Sequence, residues 1–137
     1  MPKVNGILET GIYVEDVKRS SEFYKKIFKF EVMVSDERFC AMKIQKRQVF
    51  LIFKKGGTIQ PVETPGGILP GHDGDGQMHF AFAISKESLS EWEKWLKEND
   101  IPVESKVHWP EGGISLYFRD PDGHLIELAT PVVWVNY

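Results

Sequence analysis

The chain has 137 residues, 42% hydrophobic and 27% charged, with a net charge of −3. That length buries about two-thirds of the unfolded surface and fits one domain without staples. Charges of both signs are interspersed, so no basic stripe is available to neutralise phosphates, and nucleic-acid binding is not expected. The longest apolar runs, 49–53 and 80–84, are five residues each, against the about 20 a membrane-spanning helix needs. No membrane partner is expected. One cysteine, Cys40, excludes an internal disulfide framework and any multi-cysteine metal site, which points to the cytoplasm.

Residues 7–14 alternate like a strand. Asp16 then supplies an oxygen suited to cap a helix over 17–28, whose Val17, Phe23, Tyr24, Ile27 and Phe28 fall near one face. Three runs rich in β-branched and aromatic residues follow at 30–35, 39–44 and 48–53 and predict strands. Between 56 and 77 lie seven glycines and three prolines, too many for regular structure to persist. The order then recurs. A strand is predicted at 79–84, and a helix capped by Ser85 or Ser88 runs to about Asn99. Strands follow at 103–109, 114–119 and 125–130. Asp120-Pro121-Asp122-Gly123 has the chemistry of a hairpin turn.

The chain therefore reads as βαβββ, linker, βαβββ, with halves at about 5–55 and 78–131. Each half is too small to be comfortably stable alone. The expectation is one α+β domain spanning 1–137, in which paired modules form a cup-shaped mixed sheet with helices on its outer face.

Three strands carry ionisable residues on faces that are otherwise apolar or small. Along 79–84, His79, Ala81 and Ala83 share one face and Phe80, Phe82 and Ile84 the other. Glu127 lies between Leu125 and Ala129 on the face opposite Ile126 and Leu128. Glu9 shares a face with Gly11 and Tyr13. A carboxylate in such surroundings is costly to desolvate unless paired or bound to a cation. Glu9 and His79 hold equivalent positions in the two repeats. If the halves pair about a pseudo-two-fold axis, Glu9, His79 and Glu127 converge. Two carboxylates and an imidazole suit Mn²⁺, Fe²⁺, Ni²⁺ or Zn²⁺, with coordination positions left for substrate. The alternative is a metal-free hydrogen-bonded cluster of the same three side chains. Tyr13, Ser115, Tyr117 and Arg119 are candidates for the substrate-binding wall. Cys40 reads as a core thiol, and His72, His108 and His124 as surface or turn residues. The apolar tail 131–137 is expected to dock, closing the cup or packing on a second subunit.

Several segments carry a family resemblance. They are Glu9 followed by Tyr13-Val14-Glu15-Asp16-Val17, Ser21-Glu22-Phe23-Tyr24, Met78-His79-Phe80-Ala81-Phe82, and 120–128 from Asp120-Pro121-Asp122-Gly123 to Glu127-Leu128. In these the chain resembles the vicinal-oxygen-chelate superfamily of glyoxalases, bleomycin resistance proteins and extradiol dioxygenases. The resemblance implies a metal at the floor of a paired βαβββ cup, with His79 and Glu127 as usual family ligands. Glu9 stands where the family more often has histidine, or glutamine in some glyoxalases. Leu51 stands where glyoxalase I has a further carboxylate. The implied activity is isomerase, lyase or transferase chemistry on a small molecule whose oxygens chelate the metal, with Glu9 or Glu127 as base. The implied assembly is a homodimer. The competing expectation is a non-catalytic module that sequesters a small molecule between aromatic walls, drawn from Tyr13, Phe39, Trp109 and Trp134.

Overall fold

The computed structural model describes residues 1–137 and builds the predicted repeat twice. It divides into two units, Met1–Asp75 and Gly76–Tyr137.

In the first unit, β1 (Glu9–Val14) leads into α1 (Val17–Phe28), followed by β2 (Glu31–Ser35), β3 (Phe39–Ile44) and β4 (Gln48–Lys54). The sheet order is β1-β4-β3-β2. β1 runs parallel to β4 and the other neighbours are antiparallel. β1 starts two residues later than the alternation predicts, because its register begins with Glu9 against Val49. Ile7 and Leu8 are left exposed. Asp16 caps α1 as expected, its side chain accepting from the Arg19 amide at 2.9 Å. The helix ends where Lys29 turns left-handed. Val17, Ser20, Tyr24 and Ile27 are its buried stripe. Tyr24 packs on Phe50 with ring centroids 4.7 Å apart. Ile12, Val14, Cys40, Met42, Phe50 and Ile52 complete this core. Burial pushes the Cys40 thiol pKa up, which makes it a poor nucleophile, in keeping with a core role.

The Gly/Pro-rich stretch is more ordered than its composition predicts. It contains a small hairpin, β5 (Val62–Thr64) and β6 (Gly67–Leu69), with the Thr64 hydroxyl donating to the Gly67 carbonyl at 2.7 Å. The base of the segment is stapled. Thr58 Oγ1 donates to the His72 carbonyl at 2.7 Å, and the Gly56 amide donates to Asp73 at 3.0 Å.

The second unit repeats the plan with β7 (His79–Ala83), α2 (Leu89–Glu98), β8 (Ser105–His108), β9 (Ile114–Arg119) and β10 (Leu125–Ala129), ordered β7-β10-β9-β8. β7 and β10 are parallel. Ser88 holds the cap position of α2 without a side-chain cap bond. Ser85 instead accepts from the Ser88 amide at 3.2 Å. Leu96, Leu116, Phe118, Ile126 and Leu128 form the core, while Trp92 and Trp95 are only half-buried. The tail is anchored to this unit at its end, where the Tyr137 hydroxyl donates to the Ile84 carbonyl at 3.0 Å, while Val132, Trp134 and Val135 are exposed. Gly113 lies so close to the tail that a Cβ there would meet Val133 N at 2.6 Å. No helix is long and apolar enough to cross a membrane.

Candidate metal centre

Strand register decides which side chains meet. In the second unit Leu125 pairs with His79, and Glu127 stands between Ala81 of β7 and Tyr117 of β9. Directly paired residues share a sheet face, so His79 and Glu127 are brought together above the methyl group of Ala81. His79 Nε2 lies 3.3 Å from Glu127 Oε2. The imidazole is half exposed and the carboxylate nearly buried, at 51% and 9% side-chain exposure. The site thus has one face open to solvent and a buried anion behind it.

Each partner is oriented by a second bond. His79 Nδ1 lies 3.1 Å from the Leu125 carbonyl oxygen. A carbonyl only accepts, so Nδ1 carries the proton, and in the neutral ring Nε2 presents its lone pair to Glu127. Glu127 Oε1 accepts from the Ser115 hydroxyl at 2.5 Å, and Ser115 Oγ accepts from Trp109 Nε1 at 2.8 Å. Tyr117 lies on the same face, 6.1 Å from His79 between ring centroids. Burial, with the neighbouring Glu127 charge, pushes its phenol pKa up.

Two lone pairs facing each other across 3.3 Å are repulsive unless a proton or a cation stands between them. A metal-ligating histidine ordinarily gives its other N–H to a carbonyl or carboxylate, and ligating carboxylates are themselves hydrogen-bonded. His79 and Glu127 meet both conditions, so this pair fits a divalent cation. No cluster of three or more His, Cys, Asp or Glu side chains suited to a metal ion is formed.

The other candidates are placed as follows. Glu9 opens β1 in the first unit and is exposed. Its face continues through Gly11 to Tyr13, which stacks on Phe53 with centroids 5.6 Å apart; Phe39 stacks on the far side of the same patch at 6.2 Å from Phe53. The Tyr13 hydroxyl bonds His72 Nδ1 at 2.7 Å. Burial, then the charge of Asp73, pushes the Tyr13 pKa up. Ser115 is fully buried, with its proton committed to Glu127. Arg119 forms a two-pronged pair with Glu104, at 2.7 and 3.1 Å, and donates to the Gly123 carbonyl. His108 is exposed as expected. His124 is a correction: it is fully buried, and its Nδ1 accepts the Met78 amide at 2.9 Å. The hairpin after Arg119 folds the ring back beneath the start of β7, where it satisfies a backbone donor. Sequence reasoning missed Trp109 as a polar partner and His72 as a partner of Tyr13. Neither has a local spacing signal.

The family model described as "Glyoxalase/Bleomycin resistance protein/Dioxygenase superfamily" matches residues 6–128. The chain belongs to this superfamily. Among curated relatives it is 32% identical over 133 residues to the metallothiol transferase FosB of Bacillus licheniformis, covering 96% of this chain and 79% of the relative. It is 30% identical over 118 residues to the FosB of Staphylococcus saprophyticus, covering 85% and 71%. Among solved structures it is similar to a lactoylglutathione lyase from Agrobacterium tumefaciens, with TM-score 0.89, 29% identity, and coverage of 98% of this chain and 99% of that one.

Proposed function

We propose that this chain is a metal-dependent enzyme acting on a small molecule, with thiol transfer of the kind its metallothiol transferase relatives are named for as the favoured reaction. The reading is carried by one observation: His79 Nε2 and Glu127 Oε2 face each other at 3.3 Å while His79 Nδ1 is held by a carbonyl. Glu9, His79 and Glu127 are the proposed ligands of Mn²⁺, Fe²⁺, Ni²⁺ or Zn²⁺, with the two repeats acting as one domain. When bound, the cation supplies a Lewis acid for substrate oxygens. The residues of the chain do the rest. His79 enters as a neutral donor because its Nδ1–H is already placed. Ser115 holds Glu127 aimed through the bond to Oε1. Tyr117, its phenol kept protonated by burial, donates to a substrate oxygen. Tyr13 donates from the face that carries Glu9. Glu9 or Glu127 removes the proton from the attacking or isomerising group. Arg119 already satisfies Glu104, so its contribution to substrate binding follows only if that pair opens. A cytoplasmic homodimer goes with this reading.

A second reading, sequestration of a ligand without chemistry, is favoured by the stacked Tyr13, Phe53 and Phe39 of the first unit. Elemental analysis of protein purified without chelator separates the two. The enzyme reading expects near-stoichiometric divalent metal that is lost in Glu9→Gln, His79→Ala and Glu127→Gln, with thiol consumption that tracks the metal. Ligand binding indifferent to metal, in protein that takes none up on reconstitution, would sink it.

A further inference from the structure

Glu127 is the only one of the proposed ligands whose carboxylate the fold almost completely encloses. Ser115 sits behind it on β9, fully buried. A serine hydroxyl has one proton to give and lone pairs to receive, whereas an indole N–H can only donate. Trp109 Nε1 occupies the receiving side of Ser115 at 2.8 Å. The single serine proton is therefore directed to Glu127 Oε1, at 2.5 Å. The bonds run from indole N–H to serine oxygen and from serine O–H to carboxylate.

We infer that Trp109 and Ser115 are positioning residues for the metal centre, a two-step relay that engages Glu127 Oε1 and leaves Oε2, the oxygen that faces His79, for the cation. The inference rests on the metal reading above and assigns Ser115 a task different from contact with substrate. The relay is held at its far end as well. Trp109 begins the β8–β9 turn, its amide donating to the Gly113 carbonyl at 2.8 Å. Gly113 is in turn pressed against the backbone of Val132 and Val133 in the tail. The docked tail thus holds the turn that holds the indole.

The test uses the full chain, stripped of metal and titrated with Zn²⁺ and separately with Mn²⁺ by calorimetry. Wild type, Ser115→Ala and Trp109→Phe are compared, the last keeping an aromatic ring but losing its N–H. Loss of an outer partner of a ligand typically weakens metal binding about 10–100-fold, and that loss is expected in both variants. A second readout follows the Trp109 indole proton by NMR. It should shift when Zn²⁺ binds wild type, and the shift should vanish in Ser115→Ala while the remaining spectrum stays dispersed. Unchanged affinity in both variants, with wild type binding metal, overturns the relay and leaves the metal reading standing. Failure of wild type to bind either ion overturns both. Weaker affinity with an indole signal indifferent to the metal marks a packing defect and also overturns the relay.

Discussion

Asp120 offers the most direct measurement of how the second unit holds β10 in place. It is 6% exposed, and its Oδ1 accepts from the amides of Asp122 at 3.0 Å and His124 at 2.8 Å. These bonds close the hairpin that delivers β10, and Glu127 with it. Asp120→Ala leaves one part-buried and one buried amide without their acceptor. An orphaned amide costs about 1–3 kcal/mol, and water partly re-satisfies the part-buried one, so the loss should total about 2–4 kcal/mol. For a chain of this size that corresponds to a fall in Tm of about 10 °C. Asp120→Asn retains an oxygen at the accepting position and should cost less than about 1 kcal/mol. Urea unfolding, monitored by far-ultraviolet dichroism and by tryptophan emission, measures both variants. Metal affinity should fall with the alanine variant and hold with asparagine. If asparagine proves as damaging as alanine, charge rather than the accepted bonds sustains the hairpin, and the reasoning fails.

Three further outcomes follow from the first unit. Gly71→Ala places a Cβ 1.9 Å from the Ile59 carbonyl oxygen; the segment must open, at about 1–3 kcal/mol, and proteolysis between 59 and 71 should quicken, whereas wild-type cleavage rates would count against this packing. Asp36 accepts from the amides of Arg38 and Phe39, and these bonds hold its pKa below the usual 3.8. Its stabilisation is present above that value and disappears as pH falls through the lower folded one, so Asp36→Asn should flatten the acid limb of a stability–pH curve. Tyr13 has its pKa raised by burial and then by Asp73. Phenolate absorbance should therefore lose a component titrating above 10.0 in Tyr13→Phe, and Asp73→Asn should move that component down.

The sequence carries what is local. Periodicity and turn chemistry mark α1, β3 and β9 to the residue, the Asp16 cap, the βαβββ repeat and the faces on which His79 and Glu127 stand. Face membership follows from a two-residue period, so the faces of His79 and Glu127 are legible in the sequence. Their meeting within one unit depends on β7 lying parallel to β10, whereas the sequence expectation is a three-way convergence with Glu9 through pairing of the halves. Partner choice across a turn or a loop is not. Trp109 reaches Ser115 only because the β8–β9 turn folds back at Gly113. His72 reaches Tyr13 because the linker base is stapled to Thr58. His124 is buried because a hairpin reverses beneath β7. Arg119 reads in sequence as a candidate for the substrate-binding wall, and its pairing with Glu104 depends on the entry of the chain into β8. In each case loop closure, rather than any pattern of neighbouring residues, selects the contact.

The parallel pairing of the opening and closing strands in each repeat has a consequence for biosynthesis. Glu9 finds its register against Val49, and His79 against Leu125, so neither sheet can be sealed until the last strand of its module has left the ribosome. Contacts between such distant residues slow folding, because chain entropy is surrendered before it is rewarded. The first module can close while the second is still being made. The imidazole of the second module must wait for its carboxylate, so the His79–Glu127 pair forms only after β10 has left the ribosome.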